Sequence, residues 1–150
     1  MKRILFHSLA RIGLFALALT ASSAFAAQPP AGFTAIFNGA DLTGWRGGDT
    51  FDHRKLLAMA AADRDAQITK WTTSMKSHWK VEGDELVNDG SGAYATTEKD
   101  YGDIELFVDY KTVAKADSGI YLRGCPQVQI WDYTDKAKFP IGSDKGSGGL

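Results

Sequence analysis

The chain has 150 residues, with 17 Lys or Arg against 18 Asp or Glu, so its formal net charge is −1 at pH 7. A chain this close to neutral lacks the basic surplus of nucleic-acid-binding proteins and of proteins that bind anionic membranes, so we expect neither partner. The single cysteine, Cys125, excludes a fold held by internal disulfides, and we interpret it as a small packed residue rather than a catalytic thiol.

Residues 1–26 show the three regions of a secretory signal peptide in order. Lys2 and Arg3 form a positive n-region, residues 12–19 are apolar, and Ala24-Phe25-Ala26 is a cleavage site of the A-x-A type. The apolar run is well short of the ~20 residues that span a membrane. We therefore expect cleavage after Ala26, export to the periplasm or the extracellular space, and no membrane anchor on the mature chain. The alternative is an amphipathic N-terminal helix of a cytosolic protein.

The mature chain begins with a short, stiff linker at residues 27–32, which contains two prolines. Residues 33–37 predict a first strand, and Asn38-Gly39 is a strong turn signal. The loop then continues through Trp45 and closes at Gly47-Gly48. One domain over residues 33–150 is long enough to bury a core of its own.

A helical insert is predicted near residues 53–75. Residues 55–62 have high helix propensity, and apolar side chains recur at helical spacing from there to Met75. We expect one or two helices that lie between strands of the sequence and cover one end or edge of a sheet.

From His78 onward the sequence predicts a β-rich domain. Residues 104–113 are the clearest strand, because apolar and polar side chains alternate along them. The other predicted strands are 78–81 and 85–88, which form a hairpin, then 93–97, 119–123 and 127–132. Short strands with regular turns favour a mainly β fold, a two-sheet β-sandwich or jelly roll.

The two last predicted strands share a polar face. Ile120, Leu122, Val128 and Ile130 fall on one side, whereas the opposite side carries Tyr121, Arg123, Gln127, Gln129 and Trp131. Aromatic rings stack on the C–H faces of sugars, and amide and guanidinium groups bond hydroxyls in pairs. We interpret this face as a carbohydrate-binding surface; the alternative is an ordinary solvated outer face.

Two carboxylates lie at the ends of these strands. Asp117 precedes the first and Asp132 ends the second, positions from which a carboxylate can point into a cleft. The alternative is a turn residue that bonds its own backbone for Asp117 and a solvated strand end for Asp132. Glu105 and Asp109 share a strand face, but four residues put them ~13 Å apart, too far for a glycosidase pair within one strand. No metal-ligand spacing involves His53 or His78, so the cofactor is unknown and a divalent metal stays open.

Six segments in order resemble the 3-keto-disaccharide hydrolase domain family, formerly a domain of unknown function. They are 37–45 (FNGADLTGW), 79–87 (WKVEGDELV), 101–106 (YGDIEL), 117–124 (DSGIYLRG), 127–132 (QVQIWD) and 146–150 (GSGGL). The resemblance implies a concanavalin A-like jelly-roll β-sandwich of the lectin/glucanase superfamily. It also implies that the family domain continues past Leu150, so residues 33–150 would be its N-terminal part and the chain a fragment that can be inactive.

The resemblance further implies hydrolysis of glycosidic bonds in 3-keto-disaccharides or related glycosides, by elimination and then hydration. As a hypothesis, Asp132 or Asp117 acts as the base and Arg123 with Gln129 binds keto or hydroxyl oxygens. Tyr121 and Trp131 stack on the ring, and Gln127 binds substrate although many family members have an acidic residue there. The helical insert is also longer than in simple members. The alternatives are a non-catalytic carbohydrate-binding β-sandwich module and a structural or interaction domain of a larger exported protein.

Overall fold

A computed structural model describes residues 28–124 and 126–149. The predicted signal peptide and Cys125 lie outside the described residues. The elements in chain order are β1 (Trp45–Gly48), α1 (His53–Ala58), α2 (Ala61–His78), β2 (Trp79–Glu82), β3 (Glu85–Asn88), β4 (Tyr94–Thr97), β5 (Asp117–Tyr121), β6 (Gln127–Trp131) and the 3-10 helices η1 (Lys136–Ile141) and η2 (Ser143–Lys145).

The strands of the described residues form three antiparallel pairs, β1 with β4, β2 with β3, and β5 with β6. The fold is therefore β-rich, as predicted, with short antiparallel sheets and few helices. The predicted hairpin is confirmed at β2 and β3, where Glu82 pairs with Glu85 across a turn that Gly83 enters at a φ of 65°. The jelly-roll sandwich remains a prediction.

The loop before β1 is held by its own side chains. The Asn38 Oδ1 atom accepts hydrogen bonds from the backbone N–H groups of Ala40 at 2.9 Å and Asp41 at 3.0 Å. Asp41 Oδ1 in turn accepts the N–H of Thr43 at 2.8 Å. Short polar side chains that replace backbone partners in this way stabilise tight turns. The turn predicted at Asn38-Gly39 is thereby confirmed.

The first strand was predicted in the wrong place. Residues 33–37 form no strand, and the extended segment that pairs is Trp45–Gly48, which the sequence predicted as loop. A strand needs a partner, and β4 supplies one at residues 45–48, with Trp45 opposite Thr97. Phe33 instead places its ring edge-on to Phe107, with 4.7 Å between the ring centroids.

The helical insert is confirmed and extends to His78. Asp52 caps α1 by accepting the N–H of Arg54 at 2.9 Å. Helix α2 packs on β1 so closely that a Cβ atom on Gly47 would overlap the backbone of Trp71. The N–H of Gly47 also donates to Thr72 Oγ1 at 3.0 Å. Leu56, Trp71 and Met75 are buried here, so the main core of the described residues lies between the helices and β1.

The segment predicted as the clearest strand, residues 104–113, is not one. Its alternating side chains behave as expected, since Ile104, Leu106, Val108 and Tyr110 line one side of a groove of about 410 Å³. Ile120, Leu122, Val128 and Ile130 line the other side. Within the described residues, however, no backbone N–H of 104–113 donates a hydrogen bond. The alternation of apolar and polar residues correctly predicts which side chains face the groove. A strand also requires a neighbouring strand that hydrogen-bonds its backbone, and alternation does not predict one.

Among the described residues, no helix combines the length and the apolar character that a membrane crossing requires.

Candidate functional site

Apart from Arg123, the side chains of the predicted polar face come together on the β5–β6 hairpin. Its register places Asp117 opposite Trp131, Gly119 opposite Gln129, and Tyr121 opposite Gln127. Directly opposed residues of an antiparallel pair point to the same side of the sheet. We call this surface the hairpin face and define it by Asp117, Gly119, Tyr121, Gln127, Gln129 and Trp131. Its reverse side carries Ile120, Val128 and Ile130, which line the apolar groove.

Asp117 is held at both carboxylate oxygens. Gln129 donates from Nε2 to Oδ1 at 2.9 Å, and Lys138 donates from Nζ to Oδ2 at 2.9 Å. The hydrogen bond from Lys138, followed by that from Gln129, lowers the pKa of Asp117 below its ordinary value. The carboxylate is therefore ionised at neutral pH, and about half of its side chain stays exposed to a ligand.

Gly119 makes room for Gln127. A Cβ atom at position 119 would overlap the Gln127 side chain, which therefore lies across β5 at this glycine. The amide of Gln127 therefore lies over Gly119 on the hairpin face. Two carboxamides along one face offer both donors and acceptors for neighbouring hydroxyl groups.

Trp131 is fixed by the segment that runs beside β6. Its indole Nε1 donates to the backbone oxygen of Gly146 at 2.9 Å. The same segment continues along β6, since the N–H of Gly148 donates to the Gln129 oxygen at 2.8 Å and the N–H of Gln129 donates to the Gly149 oxygen at 2.9 Å. The indole N–H is thus already engaged, which leaves the flat ring as the part of Trp131 that can contact a ligand.

Tyr121 is joined to residues that the sequence analysis did not identify. The rings of Tyr94 and Tyr121 stack with their centroids 5.4 Å apart and an interplanar angle of 19°. Thr50 Oγ1 lies 2.9 Å from the Tyr94 hydroxyl and 3.5 Å from that of Tyr121. Because these three residues come from separate segments, no local pattern could have connected them. Thr50 and Tyr94 add two hydroxyl groups beside that of Tyr121 at one end of the hairpin face.

Asp132 is engaged in turns at the end of β6. Its Oδ1 accepts from the Thr134 backbone N–H at 2.9 Å and from the Thr134 hydroxyl at 2.6 Å, and its Oδ2 accepts from the Lys115 N–H at 2.8 Å. The hydrogen bonds from Thr134, then that from Lys115, lower the pKa of Asp132. Asp132 thus makes the backbone-bonding turn that the sequence offered as an alternative for Asp117, whereas the alternative for Asp132 was a solvated strand end.

Arg123 lies outside the hairpin face. Strand β5 ends at Tyr121, and Arg123 and Gly124 follow in left-handed conformations with φ values of 57° and 82°. The cation that does reach the hairpin face is Lys138 of η1, which the sequence analysis did not single out. The sequence could not predict the contact between Lys138 and Asp117, because it depends on a 3-10 helix after β6 that brings the two residues together.

The described residues offer no ligand set for a metal ion. No three His, Cys, Asp or Glu side chains within 28–124 and 126–149 are placed to hold one. Each described histidine instead lies beside a single carboxylate: His53 Nε2 is 3.8 Å from Asp100, and His78 Nδ1 is 2.9 Å from Asp89. We therefore derive no step through a metal.

Comparison with known proteins gives one result. Residues 32–150 match the protein family described as 3-keto-alpha-glucoside-1,2-lyase-like domain. Neither the curated proteins nor the solved structures returned a match. The family match covers the whole hairpin face, Lys138 and the helical insert.

Proposed function

Since the chain belongs to the 3-keto-alpha-glucoside-1,2-lyase-like domain family, we propose that it cleaves the glycosidic bond of 3-keto-disaccharides or related glycosides. The family description supports a carbohydrate-related function. The observation that carries the proposal for this chain is the hairpin face, which gathers two aromatic rings, two carboxamides and an ionised carboxylate. These groups suit a sugar ring and its oxygens.

A ketone at C3 of the sugar makes this cleavage possible without a pair of carboxylic acids. The ketone acidifies the hydrogen on C2, and a base removes it while negative charge develops on the ketone oxygen. When the electrons return from the ketone oxygen, a C1–C2 double bond forms and the bond from C1 to the glycosidic oxygen breaks. The leaving group takes up a proton. Water then adds to C1 and C2. One glycosidic bond breaks, one water is consumed, and no oxidant is needed.

We assign the base role to Asp117 rather than Asp132. Both carboxylates accept hydrogen bonds at both oxygens, but Asp117 lies within the hairpin face, whereas Asp132 follows the end of β6 and bonds the turns beside it. A carboxylate with a lowered pKa is a modest base, which is adequate for a hydrogen that the neighbouring ketone has acidified. Tyr121 and Trp131 would stack on the sugar ring, and Gln127 and Gln129 would bond its hydroxyl oxygens. Arg123 would contribute only where a substrate extends beyond the end of β5.

We also propose that the chain acts outside the cytoplasm. Support comes from the signal-peptide pattern of residues 1–26. When the chain is expressed in a bacterium with a Sec pathway, the exported protein should begin at Ala27 by N-terminal sequencing. A cytoplasmic protein that retains Met1 would refute this part of the proposal.

The central test uses a 3-keto-disaccharide with its unoxidised parent sugar as the matched control. The chain should release a free sugar only from the keto substrate, because only the ketone acidifies C2. In D₂O, deuterium should appear at C2 of the product, since water supplies the hydrogen that returns there. Cleavage of both sugars at equal rates would contradict the elimination route. Binding of the keto sugar without turnover would favour the non-catalytic carbohydrate-binding module instead.

A further inference from the structure

We propose that Lys138 is the cation of this site: it positions Asp117 and donates a hydrogen bond to the ketone oxygen of the bound sugar. This inference rests on the proposed function and goes beyond it, because it gives the electrophilic role to a residue outside the family motifs quoted above. In the hypothesis that follows from the family resemblance, Arg123 with Gln129 binds the keto or hydroxyl oxygens.

The first support is the geometry of the ion pair. Lys138 Nζ lies 2.9 Å from Asp117 Oδ2, and its side chain is only 22 % exposed against 51 % for Asp117. Most of the Lys138 side chain is thus covered by protein, whereas about half of the Asp117 side chain faces solvent. Lys138 also interacts electrostatically with Asp132. The pKa of Asp132 is lowered mainly by hydrogen bonds from Thr134 and to a smaller extent by the positive charge of Lys138. Among the described residues, Lys138 is thus the cation associated with both carboxylates of the hairpin.

The second support is the rigid origin of the side chain. Helix η1 begins at a cap in which Asp135 accepts the Ala137 N–H at 3.1 Å, and it ends at Gly142, whose N–H donates to the Phe139 oxygen at 3.0 Å. The fully buried Ser143 donates its hydroxyl to the Asp135 oxygen at 3.3 Å. A lysine that starts from a backbone tied down at both ends loses less entropy when its ammonium group is fixed.

The third support is chemical. An ammonium group has three N–H donors, so a bond to Asp117 leaves donors for an oxygen of the substrate. Removal of the C2 hydrogen places negative charge on the ketone oxygen, and a fixed cation stabilises that charge in the transition state. Asp117, the base, and Lys138, the hydrogen-bond donor to the ketone oxygen, belong to the same ion pair and lie side by side. This matches the substrate, in which the reacting carbon C2 and the ketone carbon C3 are neighbours.

The test compares Lys138→Met with Lys136→Met, an exposed lysine of the same 3-10 helix. Loss of one donor to a developing oxyanion costs ~10²- to 10³-fold in kcat, so kcat/KM for the keto sugar should fall by about that factor in Lys138→Met, mostly through kcat. Lys136→Met should stay within about twofold of the parent, since a solvated lysine makes no contact with the substrate. Lys138→Arg, which keeps a charged donor, should retain part of the activity.

A second readout separates positioning from a general structural effect. The Asp117 carboxyl group, followed by carbon-detected NMR titration, should show a higher pKa in Lys138→Met and an unchanged pKa in Lys136→Met. Parent-like kcat/KM in Lys138→Met would overturn the inference while the proposed function stands. A parent chain that cleaves no 3-keto-glycoside would instead overturn the proposed function and the donation by Lys138 with it, whatever the Asp117 titration shows.

Discussion

At the scale of single residues, the state of Asp117 is set by its two donors. Lys138 and Gln129 bond the ionised form, and an ionised carboxylate accepts their hydrogen bonds better than a protonated one. A proton on Asp117 therefore weakens the link between β5 and η1. Stability and charge state are coupled at this position.

This coupling predicts a pH-dependent contribution to stability. Because the pKa of Asp117 is lowered on folding from its ordinary 3.8, its stabilisation is present above that value and is lost as pH falls through the folded pKa. Asp117→Asn should reduce the free energy of unfolding at pH 7 by no more than about 1 kcal/mol, since solvent screens a half-exposed pair. Urea unfolding should show the difference between parent and variant at pH 7 and its disappearance at a pH below the folded pKa.

The matched control for this measurement is Asp103→Asn, an exposed carboxylate without a hydrogen bond among the described residues. It should leave stability unchanged at both pH values. A loss in Asp117→Asn that is the same at both pH values would show that the effect of the substitution is not tied to ionisation.

At the scale of secondary-structure elements, the closest contact is that of α2 with β1. Gly47→Ala would place a methyl group inside the Trp71 backbone, and a helix backbone cannot move aside as a flexible side chain can. We expect a loss of roughly 2–3 kcal/mol in the free energy of unfolding, the upper part of the range for overpacking. Gly102→Ala, at a glycine with open space around it, should change stability by less than about 0.5 kcal/mol. Equal effects of the two substitutions in urea unfolding would contradict this packing.

Most elements that the sequence predicted have local partners; the exception is β4, predicted at 93–97, whose partner β1 is distant in the sequence. The β2–β3 hairpin, the β5–β6 pair and the helical insert each depend on a turn signal or a periodicity within a short stretch. The predictions for 33–37 and 104–113 were wrong because alternation describes a side-chain pattern and not a backbone partner. The hairpin face could be predicted because side chains alternate between the two sides of a strand. Lys138 and Tyr94 reach this face only through tertiary contacts, which no local sequence pattern contains.

At the scale of the whole molecule, residues 104–113 are an exposed apolar segment that belongs to none of the sheets among the described residues. Phe107 is 62 % exposed and Val113 77 %, and the backbone N–H groups of the segment donate no hydrogen bond within the described residues. An exposed apolar segment whose backbone N–H groups are unpaired among the described residues can pair with another chain. The apolar groove beside it adds exposed hydrophobic surface, which favours association with another molecule.

The 150-residue chain should therefore self-associate as its concentration rises. Leu106→Lys places a charge in the groove and should lower the association measured by sedimentation velocity or light scattering. Leu57→Lys makes the same change at a residue of α1 that is 54 % exposed, and it should leave association unchanged. A parent chain that stays monomeric at all concentrations would show that this segment is protected in solution.

The stack of Tyr94 on Tyr121 has a spectroscopic consequence. The two rings belong to β4 and β5, which lie in different sheets, so the stack forms only when those sheets are held together. Phenol rings that are 5.4 Å apart and nearly parallel couple their electronic transitions, which should give a distinct tyrosine band in near-ultraviolet circular dichroism. Because Tyr121 also lies on the hairpin face, a sugar bound there would disturb that band. The molecule therefore contains its own optical reporter of occupancy, which requires no label on protein or ligand.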